Sequence, residues 1–273
     1  MNKELLPLLL ENTVGKSSNE TLDNISKREQ DNQRLSAWLV QDQLRLFERA
    51  MKLQLDALVF AAEHISQWNE ADHIIVAMAC RTFNHLRAVA YLLLSGYWAE
   101  SWPLQRAAFE AMTREVFFYE NPDRVSDWLK KGNTGRVSQT QVRELIKRIY
   151  GDETYDAHKG VYEKLSSLIH PNREAIELET WNDKEGKLET WNDEERKDKE
   201  CIGIRSVLGG YIDMRYFRLQ FHSLMMMASN ATTALKFVGL QGEIDTWEQQ
   251  CDELHEAVFA IAAEYSSQAK QQI

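Results

Sequence analysis

Four prolines and twelve glycines are all that 273 residues hold to interrupt regular structure. A sandwich or barrel built on many turns needs more, whereas Leu, Ala, Glu, Gln, Lys, Arg and Met fill the long segments between these breakers. Helices should therefore dominate, and the apolar periodicity places them at about 31–67, 70–95, 98–120, 122–131, 138–150, 153–169, 209–238 and 242–271. Several boundaries carry their own chemistry. Asn121 sets a capping side chain before Pro122 at a first helical position, Gly132 and Gly151 suit left-handed exits, and Gly96 separates two helices that would otherwise fuse. Long segments with short joints predict an all-α antiparallel helical bundle, a single domain over 31–273.

Two regions depart from that rule. Residues 1–30 are polar after their opening leucines and are expected to form a mobile arm. Within them Gly15, Lys16 and Ser17 look like the end of a phosphate loop, but Leu10 stands where the first glycine belongs and no strand precedes. The second region, 171–208, carries one ten-residue unit twice, LETWNDKEGK from Leu178 and LETWNDEERK from Leu188. Threonine and tryptophan around NDKEG are compatible with a short β-hairpin near 173–205, and an irregular inserted loop accounts for the duplication equally well.

The net charge of −10 excludes a generic basic nucleic-acid coat, so a phosphate site would have to be a local cluster. Cys80, Cys201 and Cys251 have neither disulfide nor zinc spacing, and no cofactor or metal is expected. Reduced cysteines fit a cytoplasmic protein. LLPLLL is too short for a signal peptide and AVAYLLLSGYW too short for a span, so no membrane association is expected.

Candidate functional residues are the polar ones that periodicity forces onto apolar faces. With Phe109 at the centre of the 98–120 helix, Trp98, Trp102, Met112, Val116 and Phe117 form one stripe; Arg106 falls inside it and Glu110 at its edge. A guanidinium there must find an acceptor, so the two are either a structural ion pair or the floor of a polar site. On 70–95, Arg81 and His85 share a face, and a histidine flanked by Ile74, Met78, Val89 and Leu92 is more often a satisfied core residue than a ligand. Tyr211, Arg215, Arg218 and His222 line one stripe of 209–238, a basic face that could contact phosphates or simply be solvated.

The stretch KLSSLIHPN, Lys164–Asn172, ends a helix on an imidazole, because Pro171 disfavours helical geometry at His170. Carbonyls without partners at a helix end favour the imidazolium and suit acid–base work; ordinary capping explains the same residue. Lys164 and Ser167 sit beside the apolar stripe of that helix.

The run RAAFEAMTREVFFYENPD, followed by YEKLSSLIHPN, is similar to bacterial all-helical families with an arginine, a glutamate four later and a late LS..HP. These in turn resemble the HEPN superfamily over about residues 70–175. That resemblance implies a helical bundle acting in bacterial defence or toxin–antitoxin systems, a metal-independent ribonuclease chemistry, RNA as substrate, and a homodimer that joins two motifs at a cleft. His170 matches the superfamily histidine, but Lys164 stands where an arginine is wanted and lacks the planar fork that grips phosphate bidentately. By this resemblance His170 would move the proton of an attacking 2′-hydroxyl, Arg106 or Lys164 would stabilise phosphoryl charge with Glu110 beside them, and Ser167 and Asn172 would orient the phosphate. Two other classes fit the same residues. One is a noncatalytic interaction or scaffold protein with a protein partner, in which Arg106, Glu110 and His170 brace the bundle. The other is a metal-dependent hydrolase using His85, Glu110, His170 or His222.

Overall fold

The structure, a computed structural model, describes residues 21–63, 68–131, 137–169, 214–235 and 245–271. Eight helices are seen among the described residues, α1 (Leu22–Leu39), α2 (Gln41–Glu63), α3 (Glu70–Leu94), α4 (Trp98–Glu120), α5 (Asp123–Lys131), α6 (Gln139–Leu168), α7 (Met214–Ala234) and α8 (Asp245–Gln271). They pack against one another as an all-α bundle, with no strand among the described residues. The hairpin or insertion expected at 173–205, within 171–208, and its LETWND repeat lie outside the described residues.

Two boundaries differ from the periodicity. Helical structure begins at Leu22, inside the stretch assigned to a mobile arm, because Thr21 is a working cap whose hydroxyl accepts from the Asn24 N–H at 3.2 Å. The expected helix over 31–67 is two helices, broken at Val40 (φ −121°, ψ 29°). Two backbone hydrogen bonds meet at the break, Val40 N–H to Ser36 O at 3.1 Å and Leu44 N–H to Val40 O at 2.7 Å. The break turns both helices onto one core, in which Val40 is fully buried.

Helix α6 turns at the glycine where periodicity separates two helices. Gly151 adopts φ 87° and ψ 179°, a conformation essentially confined to glycine, and the chain folds back there. Arg143 and Tyr162 are nineteen residues apart and would sit roughly 28 Å apart along a straight helix. Instead the Arg143 guanidinium lies 5.7 Å from the Tyr162 ring centre, and Lys147 lies 5.5 Å from that of Tyr155. The element is thus a helical hairpin with arms 139–150 and 152–168, close to the two helices that periodicity separates at Gly151.

Helix α4 is enclosed over most of its surface. Its buried set includes Trp98, Gln105, Ala108, Phe109, Met112, Glu115 and Phe118, which wraps the helix rather than striping it. It pairs with α3 through the tight joint Ser95–Tyr97, where Gly96 takes φ 90°. Helix α1 fastens that joint: Asn32 Nδ2 donates to Ser95 O at 3.1 Å, Gln33 Nε2 to Ser95 Oγ at 2.9 Å, and the Tyr97 hydroxyl to Glu29. Burial and the Glu29 bond push the Tyr97 phenol up to about 12.

The apolar residues form two clusters. The larger draws on α1, α2, α3, α4, α7 and α8, and receives Leu165 from the second arm of α6. The smaller joins Ala71, Ile75, Phe117, Phe118, Val125 and Val137 to Val142, Leu145 and Ile146 of the first arm. The α6 hairpin therefore has one arm in each core, with the middle of α4 between them.

Glu115 is the least comfortable side chain in this arrangement. It is 2% exposed, its Oε1 has no hydrogen-bond partner, and burial drives its carboxyl pKa well above the ordinary value. A raised native pKa contributes stability that is fully present below the unfolded pKa and is lost as pH rises through the native one. Glu115→Gln, which does not titrate, is expected to raise Tm at pH 7 by about 3 °C, with the gain shrinking toward pH 4.5; equal Tm at both pH values would contradict this. At Gly151 a Cβ meets nothing within 4 Å, so Gly151→Ala isolates backbone strain and should lower stability by about 1–3 kcal/mol in urea unfolding.

Candidate functional site

The polar groups on α4 face the α6 hairpin at the seam between the two cores. Arg106, Glu110 and Arg114 occupy successive turns, and both Glu110 oxygens are engaged: Arg106 Nε donates to Oε1 at 3.0 Å and an Arg114 terminal nitrogen to Oε2 at 3.0 Å. All three are largely shielded, with side-chain exposures of 22% for each arginine and 17% for the glutamate. The pairing that one-turn spacing suggested for Arg106 and Glu110 is thus present, extended by a second arginine.

Tyr162, from the second arm of α6, completes the junction. A terminal nitrogen of Arg106 donates to its hydroxyl at 2.9 Å, and the Arg106 guanidinium carbon lies 5.1 Å from its ring centre. Arg143 approaches the same ring from the first arm, at 5.7 Å. Among the described residues Arg143 has no carboxylate within salt-bridge distance. One turn before Tyr162, His158 is 7% exposed, its ring centre is 4.6 Å from that of Phe109, and neither nitrogen has a hydrogen-bond partner. Burial first, and then the charge of Arg143, lowers its pKa to about 4, so the imidazole is neutral at physiological pH.

The junction places two guanidinium groups on a single carboxylate and a third, Arg143, against the Tyr162 ring that Arg106 also contacts, in a chain whose net charge is −10. Such an arrangement can brace two elements, and it can also hold an anion, because guanidinium N–H donors outnumber the acceptors provided.

The other sequence candidates fall elsewhere. His170 and Asn172 lie outside the described residues, as does the side chain of Arg215. Lys164 is exposed on α6, two residues past Tyr162 and so on a different side of the helix, and Ser167 Oγ donates to the Lys164 carbonyl at 2.8 Å. Arg81 and His85 make their own pair on α3, Arg81 Nε donating to His85 Nε2 at 3.1 Å. His85 is half-buried rather than enclosed in the core, and burial followed by the Arg81 charge lowers its pKa. On α7 Arg218 is exposed and His222 is half-buried, with its pKa lowered by burial. Among the described residues no three His, Cys, Asp or Glu side chains are placed to hold a metal ion, and no helix is long and apolar enough to cross a membrane.

Periodicity missed Arg114, Arg143, His158 and Tyr162 as partners of Arg106. Arg114 was legible, being one turn past Glu110. The other three required the fold-back at Gly151, which sets residue 143 against residue 162. Comparison with protein-family models, with curated proteins and with solved structures gave no match.

Removing either partner of a shielded charge leaves the other uncompensated. Arg106→Ala should cost about 2–3 kcal/mol of unfolding free energy and Tyr162→Phe about 1 kcal/mol. A double-mutant cycle should show coupling of at least ~0.5 kcal/mol; strict additivity would mean that the Arg106–Tyr162 contact does not form. For His158, a native pKa below the unfolded 6.5 means stability present above pH 6.5 and lost as pH falls toward about 4. His158→Phe, which keeps the contact with Phe109, should flatten that acid-side loss when Tm is followed from pH 7 to pH 4.

Proposed function

We propose that this chain is a HEPN-like helical protein of a bacterial defence or toxin–antitoxin type that engages RNA through phosphate contacts at the α4–α6 junction. The observation that carries this reading is the pair of partly shielded arginines, Arg106 and Arg114, on the one carboxylate of Glu110, with Arg143 against the Tyr162 ring, in an acidic protein. The similarity of the segments around Arg106 and His170 to helical families of the HEPN kind supports it. In the ribonuclease form of the proposal the 2′-oxygen of RNA attacks the adjacent phosphorus and the bond to the 5′-oxygen breaks. The products are a cyclic phosphate and a 5′-hydroxyl end; the 2′-proton passes to His170, and the leaving oxygen takes up a proton. Arg106, with its remaining N–H donors, offsets charge on the phosphoryl oxygens. Lys164 is the alternative cation, and two copies would share the cleft.

A noncatalytic scaffold role is the second reading, favoured by the full occupation of Glu110 and by the bond from Arg106 to Tyr162. In it the same residues only fasten α6 to α4.

The purified protein should cleave RNA in the presence of EDTA, leaving cyclic-phosphate ends, with a loss of about 10²-fold or more in His170→Ala. RNA binding should weaken steeply with salt and further in Arg114→Gln. Absence of both cleavage and salt-dependent RNA binding, with Arg106→Ala lowering only Tm, would leave the scaffold reading in its place. Light scattering at micromolar concentration tests the dimer.

A further inference from the structure

The outer face of α3 stands apart from an otherwise acidic chain. From His73 to Ala99 there is no Asp or Glu, although the whole sequence holds 42. Within that run Ala77, Arg81, Asn84, Arg87 and Tyr91 are exposed, and at about 100° per residue they fall on one face centred on Asn84. The face is roughly 21 Å long from Ala77 to Tyr91. Buried Ile75, Leu86 and Leu93 lie on the opposite side of the helix, in the two cores.

Both arginines of this face are positioned by neutral groups. Arg81 Nε donates to His85 Nε2 at 3.1 Å, so the terminal nitrogens of its fork remain for another acceptor. That bond needs an unprotonated Nε2, and burial, then the Arg81 charge, lowers the imidazole pKa accordingly. The guanidinium carbon of Arg87 lies 5.9 Å from the Phe83 ring centre. Elsewhere arginines are offset by carboxylates, Arg106 and Arg114 by Glu110 and Arg49 by Glu253. An imidazole or a ring orients a guanidinium without cancelling its charge, so on α3 that charge stays available to an anion from outside.

Taking RNA as the partner class from the proposed function, we infer that the outer face of α3 is a docking surface for a single RNA strand, with phosphates on Arg81 and Arg87 and a base stacked on Tyr91. Two features select that occupant. Arg81 and Arg87 are about 9 Å apart along the axis, so the positive charge is spread along the face, which matches a chain of phosphates better than one small anion. Tyr91 is 61% exposed and lies two turns from Asn84 on nearly the same line, a ring open to stacking beside cations. Cations that follow a backbone and an aromatic that stacks a base are the pairing by which single strands bind with little regard to sequence.

The test is fluorescence anisotropy of a short labelled single-stranded RNA with the full chain, repeated at about 50 mM and about 200 mM salt. Replacing both Arg81→Gln and Arg87→Gln should weaken binding about tenfold at low salt and reduce the log–log salt slope by about 1.4, two phosphates' worth. Tyr91→Ala should weaken it at least about fivefold with the slope unchanged. All three side chains are exposed, so Tm should hold in each variant. Lys52→Gln, which removes a cation paired with Asp56 on α2, should bind as the parent does. If Arg114→Gln weakens RNA binding while the α3 variants do not, the α3 surface is overturned and the junction reading stands. If polyglutamate binds as tightly as RNA and Tyr91→Ala alters neither, the face serves an acidic protein and the single-strand inference is overturned. If no RNA binds, both readings fall.

Discussion

The carboxylate of Glu110 is the group on which the α4–α6 junction depends. Both of its oxygens are taken by arginines one turn before and one turn after it. Without it, Arg106 and Arg114 would be two partly shielded like charges on one face of the most enclosed helix, an arrangement that folding opposes strongly. Fixing Arg106 along α4 directs its outer nitrogen to the Tyr162 hydroxyl, and that bond registers the second arm of α6 against α4. The apolar contacts of Leu165 in one core and of Val142, Leu145 and Ile146 in the other hold the hairpin down. Apolar burial is non-directional, so the directed polar contacts select which of several sliding positions is kept.

The helical class and most helix bounds were legible because they rest on local chemistry, few breakers and glycines where the chain leaves a helix, whereas Asn121, expected to cap the next helix, instead donates Nδ2 to Phe117 O at 2.9 Å at the end of α4. Asn69 and Ser138 each make the reciprocal cap that their sequences allow, and Gly96 and Gly151 both take positive φ. The break at Val40 left no such mark. Valine is no breaker, and that turn is imposed by the shared core on which α1 and α2 close. The start at Leu22 was hidden for a related reason, since the polarity of α1 obscured its docking to the Ser95 joint.

At the site, Arg106 and Glu110 were visible because a charged pair at one-turn spacing inside an apolar stripe has few explanations. His158 and Arg143 were not, since each looks ordinary on its own arm and gains meaning only from the partner arm. Glu115 was equally silent: periodicity treats α4 as having an exposed face, while packing encloses nearly all of it. The helix with the most burial is also the one whose polar residues are hardest to read from a single stripe.

The ties from α2 to α7 and α8 also bear on how the chain assembles. Gln54 Nε2 donates to Ala228 O across 174 residues, and Trp247 Nε1 donates to Leu53 O across 194. By contrast α3, α4, α5 and α6 follow one another directly in sequence and pack as neighbours. Contact order then separates the molecule into a block that can form early from local pairings and a closing layer of α2, α7 and α8 that must wait for a long chain excursion. The arginine junction belongs to the early block. Gln54, buried between α2 and α7, becomes satisfied only when the last helices arrive, which makes its hydrogen bond to Ala228 a marker of completed folding.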